Sequence, residues 1–246
     1  MAYLLLFAVA IWAGAQNALA GGGSFLILPT LMFTGMDALA ANITSCVALF
    51  PAQLATGWTG RSHAKGVGRL TLRRLFAISI VGGAIGAVIL LATPRGVFAQ
   101  LVPWLVLFAT GLFAWGSFFR KPGAGQGHLS PGGAGLVQFL IATYGGYFGG
   151  GAGFLMVAAL TMAGQAVRIA SATKNVLAGV MNASAVAIFL FSPDLHWTQA
   201  IVTAAGATIG GVAGARLIHH LDEKILRMFI VVVGSLLTVG LFMRAG

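Results

Sequence analysis

A glycine cluster followed by a short apolar run occurs twice in this chain, once in each half. Gly21-Gly22-Gly23 precedes the run from Phe25 to Phe33, and Gly149-Gly150-Gly151 precedes the run from Phe154 to Met162. A shift of 129 residues carries Gly22, Phe25, Leu26, Gly35 and Thr44 onto Gly151, Phe154, Leu155, Gly164 and Thr173. A shift of 128 carries Gly82, Gly83 and Gly86 onto Gly210, Gly211 and Gly214. The chain is a tandem duplication, so its fold has to use one unit twice. Residues 1–121 are expected to form the first unit, 122–133 a linker bearing Gly and Pro, and 134–246 the second.

The solvent for that unit is the bilayer. Charged residues make up 7% of the chain against 59% hydrophobic, and the mean hydropathy is +0.96. So few charges do not keep a soluble domain dispersed. A helix needs about 20 apolar residues to span, and residues 40–58, 72–92, 97–119, 168–191, 198–215 and 225–243 qualify. The runs after the two glycine clusters do not. At 1.5 Å per residue, about ten residues cover only about half of the hydrocarbon core. Each cluster with its flanking apolar segments therefore predicts a helical hairpin whose second arm breaks within the membrane. The glycine cluster near the N-terminus is copied inside the chain, and no basic segment precedes it, so residues 3–20 are expected to be mature structure rather than a signal peptide.

Loop charge predicts the orientation. Arg61, Lys65, Arg69, Arg73 and Arg74 crowd one loop, whereas the equivalent loop of the second half, Ser192 to His196, has no Lys or Arg. By the positive-inside rule the two lie on opposite sides. The expected fold is an all-α polytopic membrane protein of two inverted-topology repeats, each a broken helical hairpin plus three transmembrane helices. Arg120, Lys121 and the segment Arg216–Arg227 then come out cytoplasmic with the first loop, and both termini outside; Arg95 and Arg244 break the pattern. The net charge of +10 belongs to these loops, so no nucleic acid is expected as a partner. The bilayer is the expected partner, and a homo-oligomer is compatible with the composition.

Broken hairpins in inverted repeats point to a transporter site near the midplane. The first amides of a half-helix have no partner in their own helix and, with the helix dipole, favour an anion. Glycine lets the backbone come close to the ligand. The tips are Gly22 and Gly151, and the candidate donors are the amides of Gly23, Ser24 and Phe25 with those of Ala152, Gly153 and Phe154. Close packing of helices through small residues is the competing role for glycine, and it is the one expected of the Gly82–Gly86 and Gly210–Gly214 motifs. The helix after each hairpin adds side chains. Asn42, Ser45, Cys46, Leu49 and Gln53 share one face, and so do Ser171, Lys174, Asn175, Ala178 and Asn182. A polar stripe inside a span faces a protein interior or a cavity. Two roles fit Lys174: it balances a bound anion, or its stem snorkels to the cytoplasmic headgroups. Gln16, Asn17, Gln138, Tyr144 and Tyr147 on the first hairpin arms are candidates to line the same cavity. Thr44 and Thr173 point away from the stripes and are expected to bond to their own preceding turns.

The segments AGGGSFLILPTLMFTGMDALAANITSCVALF and GGGAGFLMVAALTMAGQAVRIASATKNVLAGVMNASA resemble the sulfite exporter family of TauE/SafE-type membrane permeases. The resemblance covers nearly the whole chain and is most specific at Ser171-Ala172-Thr173-Lys174-Asn175. It implies a multi-pass carrier of the bacterial plasma membrane for sulfite, organosulfonates or related small anions. Pro29 matches the family's proline after the first glycine cluster, whereas Ala158 stands at that place in the second half.

Other classes fit less well. An intramembrane enzyme needs an embedded acid, base, metal cluster or activated nucleophile. Asp37, Asp194, Asp222 and Glu223 fall in loops or at span ends, as do all five His residues. The single Cys46 excludes an intrachain disulfide and any multi-cysteine metal site, so no cofactor and no metal is expected. A cation carrier lacks the same embedded carboxylates. A non-transporting scaffold gives no reason for duplicated broken hairpins. With the cytoplasm negative, one elementary charge gains about 2.3 kcal/mol per 100 mV on leaving the cell, and for an anion that favours export.

Overall fold

The computed structural model describes residues 2–19, 22–115, 130–217 and 223–245. Within them the chain is helical, with no β-strand beyond an isolated bridge between Val67 and Leu70. The first half contains α1 (Ala2–Leu19), α2 (Ser24–Phe33), α3 (Ala38–Gly60), α4 (Leu72–Ala92) and α5 (Arg95–Ala114), with a 3-10 turn at Arg61–His63. The second contains α6 (Pro131–Tyr147), α7 (Ala152–Met162), α8 (Val167–Phe189), α9 (Trp197–Leu217) and α10 (Glu223–Ala245). Gly21, Arg120, Lys121, His128, His219, His220, Asp222 and linker residues 122–129 lie outside the described residues. Helix α6 starts inside the stretch expected to be linker. Ser130 caps it, its hydroxyl accepting from the Gly133 N–H at 3.1 Å, and Pro131 takes the first turn, where a missing N–H costs nothing.

The two hairpins are built alike. Helix α2 has 10 residues and α7 has 11, so each second arm is indeed too short to span. Both arms stop at a glycine in the left-handed region, Gly35 (φ +97°) and Gly164 (φ +98°). After each glycine the next amide reaches back to the helix: Met36 donates to Leu31 at 3.4 Å and Gln165 to Leu160 at 3.0 Å. This closure satisfies carbonyls that would otherwise be left in the interior.

Helices α3 and α8 run antiparallel through the centre. Cys46 meets Asn182, Gly57 lies against the backbone of Asn175, and Gly60 lies against Ala172, so the numbering rises on one helix as it falls on the other. Around them α1 packs on α9 and α4 on α6, α3 touches α9 while α4 touches α8, and α5 pairs with α10. Exchanging the halves turns the first contact of each of these two pairs into the second and leaves the pairing of α5 with α10 unchanged. The packing role expected of the glycine motifs is seen at Gly82 and Gly86, which abut the α6 backbone at Phe139 and Thr143, and at Gly210, which abuts α1 at Ile11. Gly206, which neither motif includes, abuts α1 at Phe7. A side chain there would meet backbone, so the close approach depends on glycine.

Large apolar side chains cover the outside. Leu4, Leu5, Val88, Trp104, Phe108, Ile201 and Leu236 are exposed, while Asn42, Ser45, Gln138, Lys174 and Asn182 are buried. That distribution inverts the soluble pattern and suits lipid. Among the described residues, four helices are long and apolar enough to cross a membrane: Ala38–His63, Leu72–Ala92, Arg95–Leu112 and Arg168–Phe189. Helices α9 and α10 coincide with the other two expected spans, and part of their side chains lies outside the description.

The ends of the bundle differ in charge. The loop carrying Arg61, Lys65, Arg69, Arg73 and Arg74 sits at the start of α8, where Gln165 Nε2 donates to the carbonyls of Lys65 at 2.9 Å and Gly66 at 3.0 Å. At the opposite end Arg95 binds Asp37 at 2.7 Å and also Asp194. The arginine that breaks the loop-charge pattern therefore has its charge balanced by two carboxylates.

Candidate functional site

The site forms where the two hairpins break. Gly22 (φ +82°) and Gly151 (φ +76°), equivalent by the repeat, take the left-handed conformation that turns each chain into its short arm. A side chain there costs about 1–2 kcal/mol. The tips face each other: a Cβ on Gly22 would lie 3.4 Å from the Phe154 ring, and one on Gly151 would lie 3.6 Å from the Phe25 ring. Each equivalent phenylalanine thus packs against the other half's glycine.

Polar side chains of the first arms hold the tips. Gln16 Nε2 donates to the Gly22 carbonyl at 3.4 Å, and the Gly23 N–H donates to Asn17 Oδ1 at 3.5 Å. The Tyr144 hydroxyl donates to the Gly150 carbonyl at 2.7 Å, and Asn42 Nδ2 to the Tyr147 carbonyl at 3.0 Å. The Phe25 and Phe154 amides close their own turns on Gly22 and Gly151, both at 3.0 Å. Of the six candidate amide donors, those of Ser24, Ala152 and Gly153 have no hydrogen-bond acceptor among the described residues.

A cavity of about 40 Å³ lies between these tips and the central helices. Gly22 and Ser24 line it from the first tip, Gly149, Ala152 and Gly153 from the second, and Gln53, Thr56, Lys174, Asn175 and Asn182 from α3 and α8. Asn17, Ala178 and Met181 complete the wall. It has room for a water or a very small ion.

Lys174 is the electrostatic centre of this wall. It is 7% exposed, and its stem lies against Gly153, whose ideal Cβ would be 3.3 Å from Lys174 Cδ and 3.9 Å from Nζ. The ammonium stays inside the bundle instead of reaching the end of α8. Among the described residues no carboxylate pairs with it, because Asp37 and Asp194 are bound to Arg95 at one end of the bundle. A buried cation without a counter-ion is costly. An anion in the cavity would remove that cost.

The remaining sequence candidates have other surroundings. Ser45 is buried with no hydrogen bond to its hydroxyl, Asn42 holds the Tyr147 carbonyl, and Gly23 and Gly151 lie within the turns; neither these residues nor Ser171 line the cavity. Gln138 donates to Ser79 Oγ at 2.9 Å, between α6 and α4, and is absent from the cavity wall. Thr44 and Thr173 correct the expectation of bonding to their own turns: Thr44 Oγ1 accepts from the His196 N–H at 3.2 Å and Thr173 Oγ1 from the Lys65 N–H at 3.0 Å. Both face away from their stripes, as expected, because a loop of the other half lies there. Thr56 was within reach of the sequence, one turn past Gln53 on the same face. Gly149 belongs to the second glycine cluster read from the sequence, whereas Met181 carried no signal of its own.

The family model for the sulfite exporter TauE/SafE matches residues 6–242, which include every helix of this site. The chain belongs to that family. A probable membrane transporter protein of Haemophilus influenzae is 29% identical over 244 residues, covering 95% of this chain and 92% of that one. The probable membrane transporter protein YfcA of Escherichia coli is 29% identical over 247 residues, 96% of this chain and 88% of that one. The probable membrane transporter protein ORF9 of a Sinorhizobium species is 29% identical over 244 residues, 96% of this chain and 90% of that one. No solved structure matches the chain. With its apolar exterior and spanning helices, this TauE/SafE protein is a multi-pass membrane transporter of the bacterial inner membrane.

Proposed function

We propose that this transporter exports small sulfur-containing anions, such as sulfite or organosulfonates, by binding them between the two glycine-rich tips, which have to part to widen the cavity of about 40 Å³ and admit them. The observation that carries the proposal is Lys174, a buried ammonium facing a cavity that no carboxylate lines. The amides of Ser24, Ala152 and Gly153, which have no acceptor among the described residues, add donors from two half-helix starts, which suit an anion's oxygens. Gln53, Asn175 and Asn182 surround the same space.

Two inverted repeats are part of the proposal. Their support is the antiparallel pairing of α3 with α8 and the bond from Asn182 Nδ2 to Gln53 Oε1, whose partners stand 129 residues apart, the spacing of the repeat itself. A residue that bonds to its own equivalent lies on the pseudo-two-fold axis. The basic loop end is assigned to the cytoplasm and the Arg95 end, with both termini, to the outside. Export follows from the potential, since about 2.3 kcal/mol per 100 mV favours a monoanion leaving a negative interior, and the embedded carboxylate that commonly couples protons or sodium is missing among the described residues.

The test is flux in liposomes. Purified protein should pass sulfite or methanesulfonate, and faster when a potassium–valinomycin potential makes the substrate-containing side negative. Flux that ignores this potential and follows an imposed proton or sodium gradient would refute uncoupled export. No flux of any oxyanion would refute the substrate class.

A further inference from the structure

Four primary amides line the cavity, Asn17, Gln53, Asn175 and Asn182; each can present either an oxygen or an NH2 group, and in all but Asn175 the hydrogen bonds already made decide which. Asn17 Oδ1 accepts from the Gly23 amide at 3.5 Å. Gln53 Oε1 accepts from Asn182 Nδ2. Asn182 Oδ1 accepts from the Cys46 thiol, with Sγ at 3.9 Å. Three amide oxygens are therefore occupied by protein donors. What is left for a ligand is Gln53 Nε2, Asn17 Nδ2 and the Asn175 amide, which can turn its NH2 group inward, beside the Lys174 ammonium and the backbone amides of Ser24, Ala152 and Gly153. A wall rich in donors, with one cation, suits a ligand whose polar atoms all accept.

We infer that Asn182 and Cys46 are positioning residues that lock the Gln53 amide with its NH2 group toward the cavity, and that Gln53 thereby selects an oxyanion. The inference rests on the cavity being the anion site proposed above. A free glutamine amide turns over at little cost, and the turned form would aim a carbonyl oxygen at the anion. Here the turned form would also set the Gln53 NH2 against the Asn182 NH2. Asn182 could relieve that clash by turning too, and the Cys46 thiol resists this by donating to the oxygen as it stands. Gln53 and Asn182 are repeat equivalents, so the duplication has divided one role: one amide faces the ligand and the other holds it. The thiol is a weak donor, so Cys46 contributes the smaller share.

Gln53→Glu tests the polarity directly, because it keeps an oxygen for Asn182 and puts a charged oxygen where the NH2 stood. Binding of sulfite and methanesulfonate to the purified protein, by calorimetry, should weaken about 100-fold or more. Cys46→Val removes the donor at similar volume and should cost about 3- to 10-fold, whereas Cys46→Ser keeps a donor and should stay within about twofold of the parent. A merely structural Cys46 would change the thermal midpoint in these variants without separating Val from Ser in affinity or in the ratio of sulfite to chloride binding. Parent-like binding by Gln53→Glu, or equal affinities for the two Cys46 variants, overturns the inference. If Gln53→Glu does not fold, the Cys46 pair decides alone. A parent protein that binds neither oxyanion overturns the transport proposal and this inference with it; a parent that binds both while the variants match it overturns the inference only.

Discussion

Thr44 in the first half and Thr173 in the second occupy equivalent places, and each holds the loop of the opposite half, through His196 and Lys65 respectively. The tips repeat this exchange through Gly22 with Phe154 and Gly151 with Phe25. The hairpins and central helices of the two halves match in length, α2 and α7 with 10 and 11 residues and α3 and α8 with 23 each. Their charges do not match. The place of Lys174 is taken by Ser45 in the first half, the N-cap carboxylate Asp37 is replaced by Ala166, and the basic loop after α3 corresponds to the loop of Asp194 after α8. Duplication has kept what shapes the cavity and has let the charges diverge. On the proposed reading, shape serves the two faces of the membrane alike, while Lys174 gives the shared cavity its sign.

The most decisive attack on the comparison is on topology, where the outcome is all or none. Single cysteines at His63 and His196, in a Cys46→Ala background, should label with impermeant thiol reagents from opposite sides of the membrane. Labelling of both from one side would break the inverted relationship. The charge asymmetry comes next. Lys174→Met should lower anion transport about 100-fold or more, the scale expected when one partner of a buried charge pair is lost. Ser45→Ala, at the equivalent place, should change it less than about threefold, because its hydroxyl makes no hydrogen bond. Equal losses in the two variants would mean that the ammonium has no special role.

The tips should show the reverse behaviour, symmetry where the charges show none. Gly22→Val and Gly151→Val each place a β-branched residue at positive φ and direct bulk into a packed neighbour, the Phe25 ring 3.0 Å from the ideal Cβ at Gly22 and Ala109 Cβ 2.8 Å from it at Gly151. Each should reduce transport about tenfold or more, given the strain of about 1–2 kcal/mol, while the protein still inserts and runs as a single species in detergent. A large loss at one tip alone would show that the tips, like the charges, have diverged.

Much of this was legible in the sequence, because helix ends in lipid are written in apolar length and glycine, and the duplication wrote them twice. The 129-residue shift found the equivalent tip glycines, the helix closures at Gly35 and Gly164, and the two central stripes. The stripe spacing placed Gln53, Lys174, Asn175 and Asn182 on the faces that line the cavity. Contacts between distant segments were not legible. Nothing local to Thr44 indicates that a loop 152 residues away donates to it. Nor does Arg95 show by itself the two carboxylates that balance it, since they lie 58 and 99 residues away. Ideal helix geometry gave the direction of those side chains but not what stood opposite.

The smallest effect concerns the starts of the two central helices. Asp37 caps α3, its carboxylate accepting from the Leu39 and Ala40 amides at 3.1 Å each. Ala166 holds the same place before α8 with a similar extended backbone, φ −60° and ψ 142° against −67° and 159°, and it offers no acceptor. Ala166→Asp should therefore supply the missing cap, and at a helix N-terminus its charge is also favoured by the dipole. The nearby basic loop and Arg168 make the setting more favourable still. The gain should be about 0.5–1 kcal/mol, read as a rise of about 2–4 °C in the thermal midpoint of the purified protein. Anion binding should be unchanged, since Ala166 lies two turns before Lys174 and outside the cavity wall. Asp37→Ala, the reciprocal change, should lower the midpoint by a similar amount and also free one arm of Arg95, an exposed pair worth less than about 1 kcal/mol. A midpoint that falls in both variants would show that the helix starts are not equivalent, and that the likeness of the halves ends one residue before the first turn of α8.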